Sequence, residues 1–168
     1  VEQKWQDKWF EEKIFEPTTG KGKKFFFTVP YPYVSGSLHV GHGRTYSVGD
    51  TMTRFKRMQG FNVLWPMGFH ITGTPVLAVT QNIARGDENA IKMYTDYVTV
   101  YENDPAKVKE IVTSFGKDPW NVVRYFSQKL VLDFKKLGVS IDFTRQFTTG
   151  DKEYNKFVEW QFLKYKEK

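Results

Sequence analysis

The chain has 168 residues, 40% of them hydrophobic and 17% aromatic, with no cysteine and a formal net charge of +6. This fits one ordinary domain, or a piece of a larger one, with a real core; it excludes a disordered composition, disulfides, Cys-type zinc sites and thiol chemistry. No run of about 18 apolar residues is present to span a membrane, and the start, VEQKWQDKW, is too polar for a secretory signal, so a cytoplasmic protein without a membrane partner is expected.

Residues 2 to 14 carry Trp5, Trp9 and Ile14 at helical spacing, and FEPTTGKGKK then breaks the helix with proline and glycines. KFFFTV, closed by Pro30, is a short apolar run that predicts a buried parallel strand. After the loop PYPYVSGSLHVGH, the spacing of Val48, Met52 and Phe55 predicts an amphipathic helix that Gly60 stops. FNVLWP follows as a second apolar strand ending at Pro66. Residues 25 to 65 thus form a strand, loop, helix, strand unit, the way parallel sheets are built.

Beyond Pro75 the pattern is mostly helical. Asp104-Pro105 and Asp118-Pro119 each read as an N-cap followed by proline at the first helical position. Leu130, Phe134 and Leu137 line one face before Gly138, VSIDF predicts a short third strand, and an aromatic-rich helix runs from about Asp151 onward. The first residue is not methionine and the last segment, FLKYKEK, has no glycine or proline stop, so both ends are expected to be cut.

The pI near 9.3 suits polyanionic partners such as nucleotides or RNA, because basic groups near phosphate release condensed counterions. A merely soluble basic surface explains it equally, since the lysines are dispersed through helices. The glycine-containing loop is more specific. Between a buried strand and a helix it exposes backbone N–H groups where the helix dipole favours an anion, and phosphate is the expected guest. Gly41 lets a flat ring or phosphate approach the backbone, and Gly36 lets the loop turn tightly.

His39 and His42 are three apart, so on a first helical turn they project to one side and can donate to phosphate oxygens as charge builds. Phosphoryl or nucleotidyl transfer is the chemistry this suits. Zinc held by His39, His42 and His70 would use the same side chains, but the i, i+4 spacing and glutamate of HExxH are missing and no metal site is assigned. Histidines packed beside aromatics are the structural alternative. Two of them flanking a glycine at a strand-to-helix junction weigh against it.

Four segments in order carry a resemblance. PYPYVSGSLHVGH resembles the HIGH motif of the class I aminoacyl-tRNA synthetases, with its upstream proline and aromatic residues. MGFHITGTPV resembles the segment after the second strand in the leucyl enzymes of archaeal and eukaryotic type, and VSIDFTRQFTT and KFVEWQF are similar to that subgroup. HxGH alone is shared with nucleotidyltransferases of related fold, whereas the four segments together are specific and cover nearly the whole chain. The fold implied is α/β: the first half of a Rossmann-like parallel sheet, then a largely helical segment and a short third strand.

The resemblance also implies roles. In the motif region, Pro32, Tyr33, Val34, Ser35, Gly36, Ser37 and Leu38 lead into His39, Val40, Gly41 and His42. His39 and His42 would contact the ATP phosphates and stabilise the adenylation transition state, Gly41 would lie beneath the adenine, and Val40 stands for the usual isoleucine. Tyr31, Pro32 and Tyr33 would line an apolar amino-acid pocket, with His70 at its rim. Where bacterial leucyl and many isoleucyl enzymes carry an aspartate that pairs with the substrate ammonium, this chain has His70, and an imidazole cannot reproduce that charge.

The activity implied is leucine–tRNA ligation. The leucine carboxylate attacks the α-phosphate of ATP, with Mg2+ on the nucleotide, and the leucyl group then passes to the terminal ribose of tRNA(Leu). A hydrophobic pocket separates similar aliphatic amino acids by only about 1–3 kcal/mol, so such enzymes commonly need a second, hydrolytic sieve. The family's KMSKS signature and anticodon-binding domain are absent. Residues 1–168 are therefore expected to be the amino-terminal part of the catalytic domain, truncated before the editing insertion and weakly active or inactive alone. The rivals are an isoleucyl or valyl ligase, a stand-alone HxGH nucleotidyltransferase, and an RNA-binding module using Lys21, Lys23 and Lys24 beside aromatics, for which a solvated loop is the plain alternative.

Overall fold

Helix starts follow the capping chemistry written in the chain. Asp104 and Asp118 accept from the N–H groups of Ala106 and Trp120, each at 2.9 Å, just where Pro105 and Pro119 open their helices. In the computed structural model, residues 1–20 and 22–168 are described, and Lys21 of the lysine loop lies outside them. Among the described residues the order is α1 (Glu2–Glu11), β1 (Lys24–Phe26), α2 (Val40–Met58), β2 (Asn62–Leu64), β3 (Pro66–Phe69), α3 (Thr74–Ala84), α4 (Glu88–Thr99), α5 (Pro105–Phe115), α6 (Pro119–Lys136), β4 (Asp142–Thr148) and α7 (Lys152–Lys166). Gly60 and Gly138, at φ 79° and 72°, take the left-handed turn that ends α2 and α6.

The chain forms two compact units. The first comprises Val1–Pro32, Leu38–Gly68 and Leu130–Gln146; the second comprises Tyr33–Ser37, Phe69–Lys129 and Phe147–Lys168.

In the first unit β1 and β2 pair in parallel, Lys24 opposite Asn62, Phe25 opposite Val63 and Phe26 opposite Leu64, with α2 as the crossover. The expected strand, loop, helix, strand unit is present. A second two-stranded sheet joins β3 and β4, and the Asp142 N–H donates to the Trp65 carbonyl at 2.9 Å. Trp65, 1% exposed, is the hub of this core. It meets Phe27 edge-on at 5.4 Å and stacks with Tyr46 at 6.1 Å, and Tyr46 in turn lies 4.2 Å from Phe134.

In the second unit Tyr94, Phe115 and Phe126 form an aromatic core with centroids 5.7 to 6.1 Å apart. Val76, Val98, Val112 and Val122 fill the space among α3 to α6. On α7, Tyr154 stacks on Phe147 at 5.9 Å, while Phe157, Trp160 and Tyr165 are exposed.

Several elements depart from the periodic pattern, each for a packing reason. β1 is three residues long and not the buried strand expected: Phe26 is 62% exposed, Phe25 is half-buried, and β2 is its one neighbour among the described residues. Pro66 opens β3 instead of ending β2; the first residue of a strand is a place where a missing N–H is tolerated. β4 begins at Asp142, three residues after the predicted start, and Val139, Ser140 and Ile141 are buried without strand pairing. In the leading segment Trp5 and Ile14 are exposed and Phe15 carries the burial, and at the end of α6 Leu137 points to solvent.

The largest departure is on α2. Val48, Met52 and Phe55, the predicted core stripe, are exposed, and the buried positions are Tyr46, Gly49 and Thr53. Gly49 is where the helix comes closest to the aromatic core: a Cβ there would lie 2.8 Å from the Phe27 ring and 3.1 Å from Trp65. Gly49→Ala therefore forces rigid rings apart, an overpacking cost of about 1–3 kcal/mol that exceeds the gain of about 1 kcal/mol in helix propensity. A lower urea midpoint is expected for this variant, and an unchanged or higher one would refute the close approach.

Candidate functional site

The strand-to-helix junction builds its site from backbone N–H groups and two rings. His39 is the N-cap of α2, in extended backbone at φ −127° and ψ 172°, and His42 sits at the third helical position. The Gly41 N–H donates to Nδ1 of His39 at 3.0 Å, and the His39 N–H donates to Nδ1 of His42 at 3.3 Å. This is a reciprocal capping box with imidazoles in place of the usual hydroxyl and carboxylate. The ring centroids lie 4.0 Å apart.

This cap decides which nitrogen is protonated. An Nδ1 that accepts a backbone N–H cannot carry its own hydrogen, so both neutral rings hold the proton on Nε2. Each ring is left with one donor, aimed away from the bonds it makes to the helix. Burial, and then the neighbouring His39, lower the pKa of His42 below its ordinary 6.5, so this ring stays neutral where a doubly protonated pair would repel. Two ring N–H donors at the positive end of a 19-residue helix form an anion-facing arrangement.

Gly41 serves the same arrangement. A Cβ there would lie 2.8 Å from Cε1 and 2.9 Å from Nδ1 of His39, so any larger residue expels the capping ring. Val40 and His39 are exposed, and Leu38 and His42 are half-buried. Also in the first unit, Pro32 is buried and Tyr31 half-buried, the latter near enough to Tyr46 to help burial raise that phenol's pKa.

The second unit brings Tyr33 and His70 together. Their rings stack at 3.8 Å with a 29° tilt, their backbones form a parallel bridge, and the Val34 N–H donates to the His70 carbonyl at 3.4 Å. Tyr33 keeps 37% of its surface exposed, whereas Val34 is fully buried and serves the core. Thr149 holds the chain just past His70: its Oγ1 accepts from the N–H groups of Ile71 and Thr72 at 3.0 and 3.3 Å and meets the Thr72 hydroxyl at 3.0 Å.

The loop before the histidines is held by α4. The Tyr94 hydroxyl donates to the Ser35 carbonyl at 2.5 Å, and burial raises its pKa. Gly36 lies in a bend at a φ that is not left-handed, and a Cβ there would lie 3.1 Å from the Tyr97 ring. Ser37 is half-buried. Sequence reasoning missed Tyr94, Tyr97 and Thr149. The only trace of them was FTT at the end of one of the four characteristic segments and aromatics at helical spacing in α4.

Among the described residues no three His, Asp or Glu side chains come together as a group able to hold a metal ion. No helix among them is long and apolar enough to cross a membrane.

Comparison with known proteins bears on this geometry. The family described as tRNA synthetases class I (I, L, M and V) matches residues 4–168. The leucine–tRNA ligase of Staphylothermus marinus is 53% identical over 100% of this chain and 17% of its own length. That of Thermoplasma acidophilum is 51% identical over 100% of this chain and 18% of its own. The chain thus spans less than a fifth of the length of the curated relatives it matches. Among solved structures, the ternary complex of Agrobacterium radiobacter K84 agnB2 LeuRS with tRNA and LeuAMS superimposes with a TM-score of 0.65 at 28% identity, covering 91% of this chain and 16% of that one.

The cap has a measurable signature. In 15N-resolved spectra both rings are expected to show unprotonated Nδ1 and protonated Nε2, with His42 titrating below 6.5. Because the folded pKa is the lower one, this contribution to stability is complete above pH 6.5 and is lost as the pH falls below it, where the unfolded chain takes up the proton first. An Nδ1–H tautomer on either ring, or titration of His42 above 6.5, would contradict the capping arrangement.

Proposed function

We propose that this chain, which belongs to the class I tRNA synthetases (I, L, M and V), is the amino-terminal part of the catalytic domain of a leucine–tRNA ligase. One observation carries the reading: two ring donors, His39 and His42, cap a helix that follows the first strand of a parallel β–α–β unit. The identity of the relatives supports leucine over isoleucine or valine as the amino acid.

The reaction follows from charge. A carboxylate oxygen of leucine attacks the α-phosphorus of ATP; the new O–P bond forms as the bond to the bridging oxygen breaks, and that electron pair leaves with pyrophosphate. The non-bridging oxygens gain negative charge in the transition state. Nε2–H donors of His39 and His42 meet that charge, and the α2 dipole adds to it. No proton moves in this step, which suits rings that donate without titrating.

Gly41, exposed at the start of α2, is the candidate position beneath the adenine, with the His39 ring lying where its Cβ would be. Tyr31, Pro32, Tyr33 and His70 remain the candidates for recognising the leucine, and within the second unit His70 is stacked on Tyr33. Magnesium would arrive on the nucleotide and neutralise phosphate charge; the described residues gather no set of ligands for it, so the phosphates, not these side chains, would hold it. The leucyl group then passes to the terminal ribose of tRNA(Leu), with the rest of the activity supplied by polypeptide outside these residues.

The test is amino-acid-dependent ATP–pyrophosphate exchange by the full-length ligase. Leucine is expected to drive it and isoleucine and valine are not. His39→Ala and His42→Ala are each expected to lower the rate roughly a hundred- to thousandfold. Exchange driven by isoleucine or valine would reassign the amino acid, and exchange driven by a metabolite without any amino acid would favour a stand-alone nucleotidyltransferase. Salt-sensitive RNA binding without nucleotide binding would favour an RNA-binding module. Residues 1–168 alone are expected to exchange weakly or not at all, and full-length-like turnover by them would overturn the partial-site reading.

A further inference from the structure

Ser140 lies between α6 and β4, in neither helix nor strand, yet every polar atom it has is bonded to α2. Its N–H donates to Oδ1 of Asp50 at 2.6 Å, and its carbonyl accepts from Nη2 of Arg57 at 3.0 Å. Its hydroxyl accepts from Nη1 of Arg57 at 2.7 Å and meets Oγ1 of Thr53 at 3.1 Å. Both Ser140 and Thr53 are 0% exposed.

The α2 partners recur at i, i+3, i+4 and i+7, a single helix face. Arg54 completes it, donating from Nε to Asp50 at 2.7 Å and from Nη2 to the Gly138 carbonyl at 2.5 Å. Arg57 reaches the Phe15 carbonyl as well, at 3.2 Å. Burial and the charge of Arg54 lower the Arg57 pKa to about 10, with Asp50 and Asp142 opposing, so it remains a cation at neutral pH. Two residues beyond Ser140, Asp142 ties the same segment to the Trp65 carbonyl.

We infer that Ser140, with Asp50, Thr53 and Arg57, is a positioning lock that sets the rotation of α2 and thereby the aim of His39 and His42. The inference rests on the nucleotidyl-transfer reading of those two rings. An apolar stripe tolerates small rotations of a helix, because dispersion contacts are not directional. Hydrogen bonds weaken steeply off-axis, and a saturated buried set admits one arrangement.

The lever is large enough to matter. Side-chain tips lie about 5–6 Å from a helix axis, so a rotation of about 20° carries an imidazole through about 2 Å. A misplacement of about 1 Å can cost on the order of a hundredfold in rate. The stripe that would otherwise hold the helix, Val48, Met52 and Phe55, is exposed. Rotational restraint of α2 falls to the polar face, to the close contact at Gly49 and to the buried Tyr46 ring against Trp65 and Phe134.

The test uses leucine-dependent pyrophosphate exchange by the full-length ligase and compares Ser140→Ala, Thr53→Val and Thr53→Ser with the parent. Ser140→Ala and Thr53→Val are expected to lower kcat about tenfold or more with the ATP KM changed less than about threefold, because nucleotide still binds to a misaimed pair. Thr53→Ser, which keeps the hydroxyl and loses only a methyl, is expected to retain kcat within about twofold. Folded variants with parent-like kcat would overturn the lock, as would a kcat loss that Thr53→Ser shares, since packing and not the hydroxyl would then be responsible. If Ser140→Ala does not fold, the Thr53 pair decides alone. A parent without leucine-dependent exchange overturns the functional reading itself, and the lock as a catalytic device falls with it.

Discussion

A helix can aim two rings at an anion only while it cannot turn about its own axis, and in this chain the restraint on α2 is mostly polar. Ser140 spends its N–H, carbonyl and hydroxyl on Asp50, Arg57 and Thr53, and Gly49 lets the helix settle against Phe27 and Trp65. A buried polar set of this kind is costly unless every member is paired. Here the pairing is complete for Ser140, and the Arg57 cation faces the carboxylates of Asp50 and Asp142. Helix α2 is also the crossover between β1 and β2.

Local chemistry at the start of the same helix joins folding to function. The bonds that satisfy the first-turn amides fix the tautomer of both histidines and direct their remaining donors outward. Gly41 is required because the His39 ring fills the place of its Cβ. One short segment therefore starts a helix and fixes the proton of two rings on a chosen nitrogen. A nucleophile that is already a carboxylate asks nothing more of these rings than donation, which is why a lowered pKa at His42 fits the proposed reaction.

The second unit treats its share of the motif differently. Val34, Ser35 and Gly36 are held by core packing, by the Tyr94 hydroxyl and by the face of Tyr97, and His70 is fixed by its backbone bridge to Tyr33 while Thr149 holds the two residues that follow. The aspartyl N-caps and the β–α–β order could be read from residues alone, since each is a local rule about caps, prolines or run length. The buried face of α2 could not. Periodicity counts apolar residues, and this face is built from Tyr46, Gly49, Thr53 and charged side chains. Ser140, its partner, lies 87 residues from Thr53, where no local pattern connects them.

The amino-acid sequence by itself determined the α/β class, the strand-to-helix junction with its two histidines and glycine, the helix starts at Asp104 and Asp118, and the family resemblance, because these depend on neighbours within a few positions. Only the tertiary structure decided which side of α2 is buried, that Gly36 lies against the Tyr97 ring, and that Pro66 opens a strand. The tautomers also needed coordinates, since two rings three residues apart could equally have pointed away from the helix. Contacts between residues distant in the chain select among locally equivalent arrangements by burial and hydrogen-bond geometry, and those terms exist only once the chain has folded back on itself.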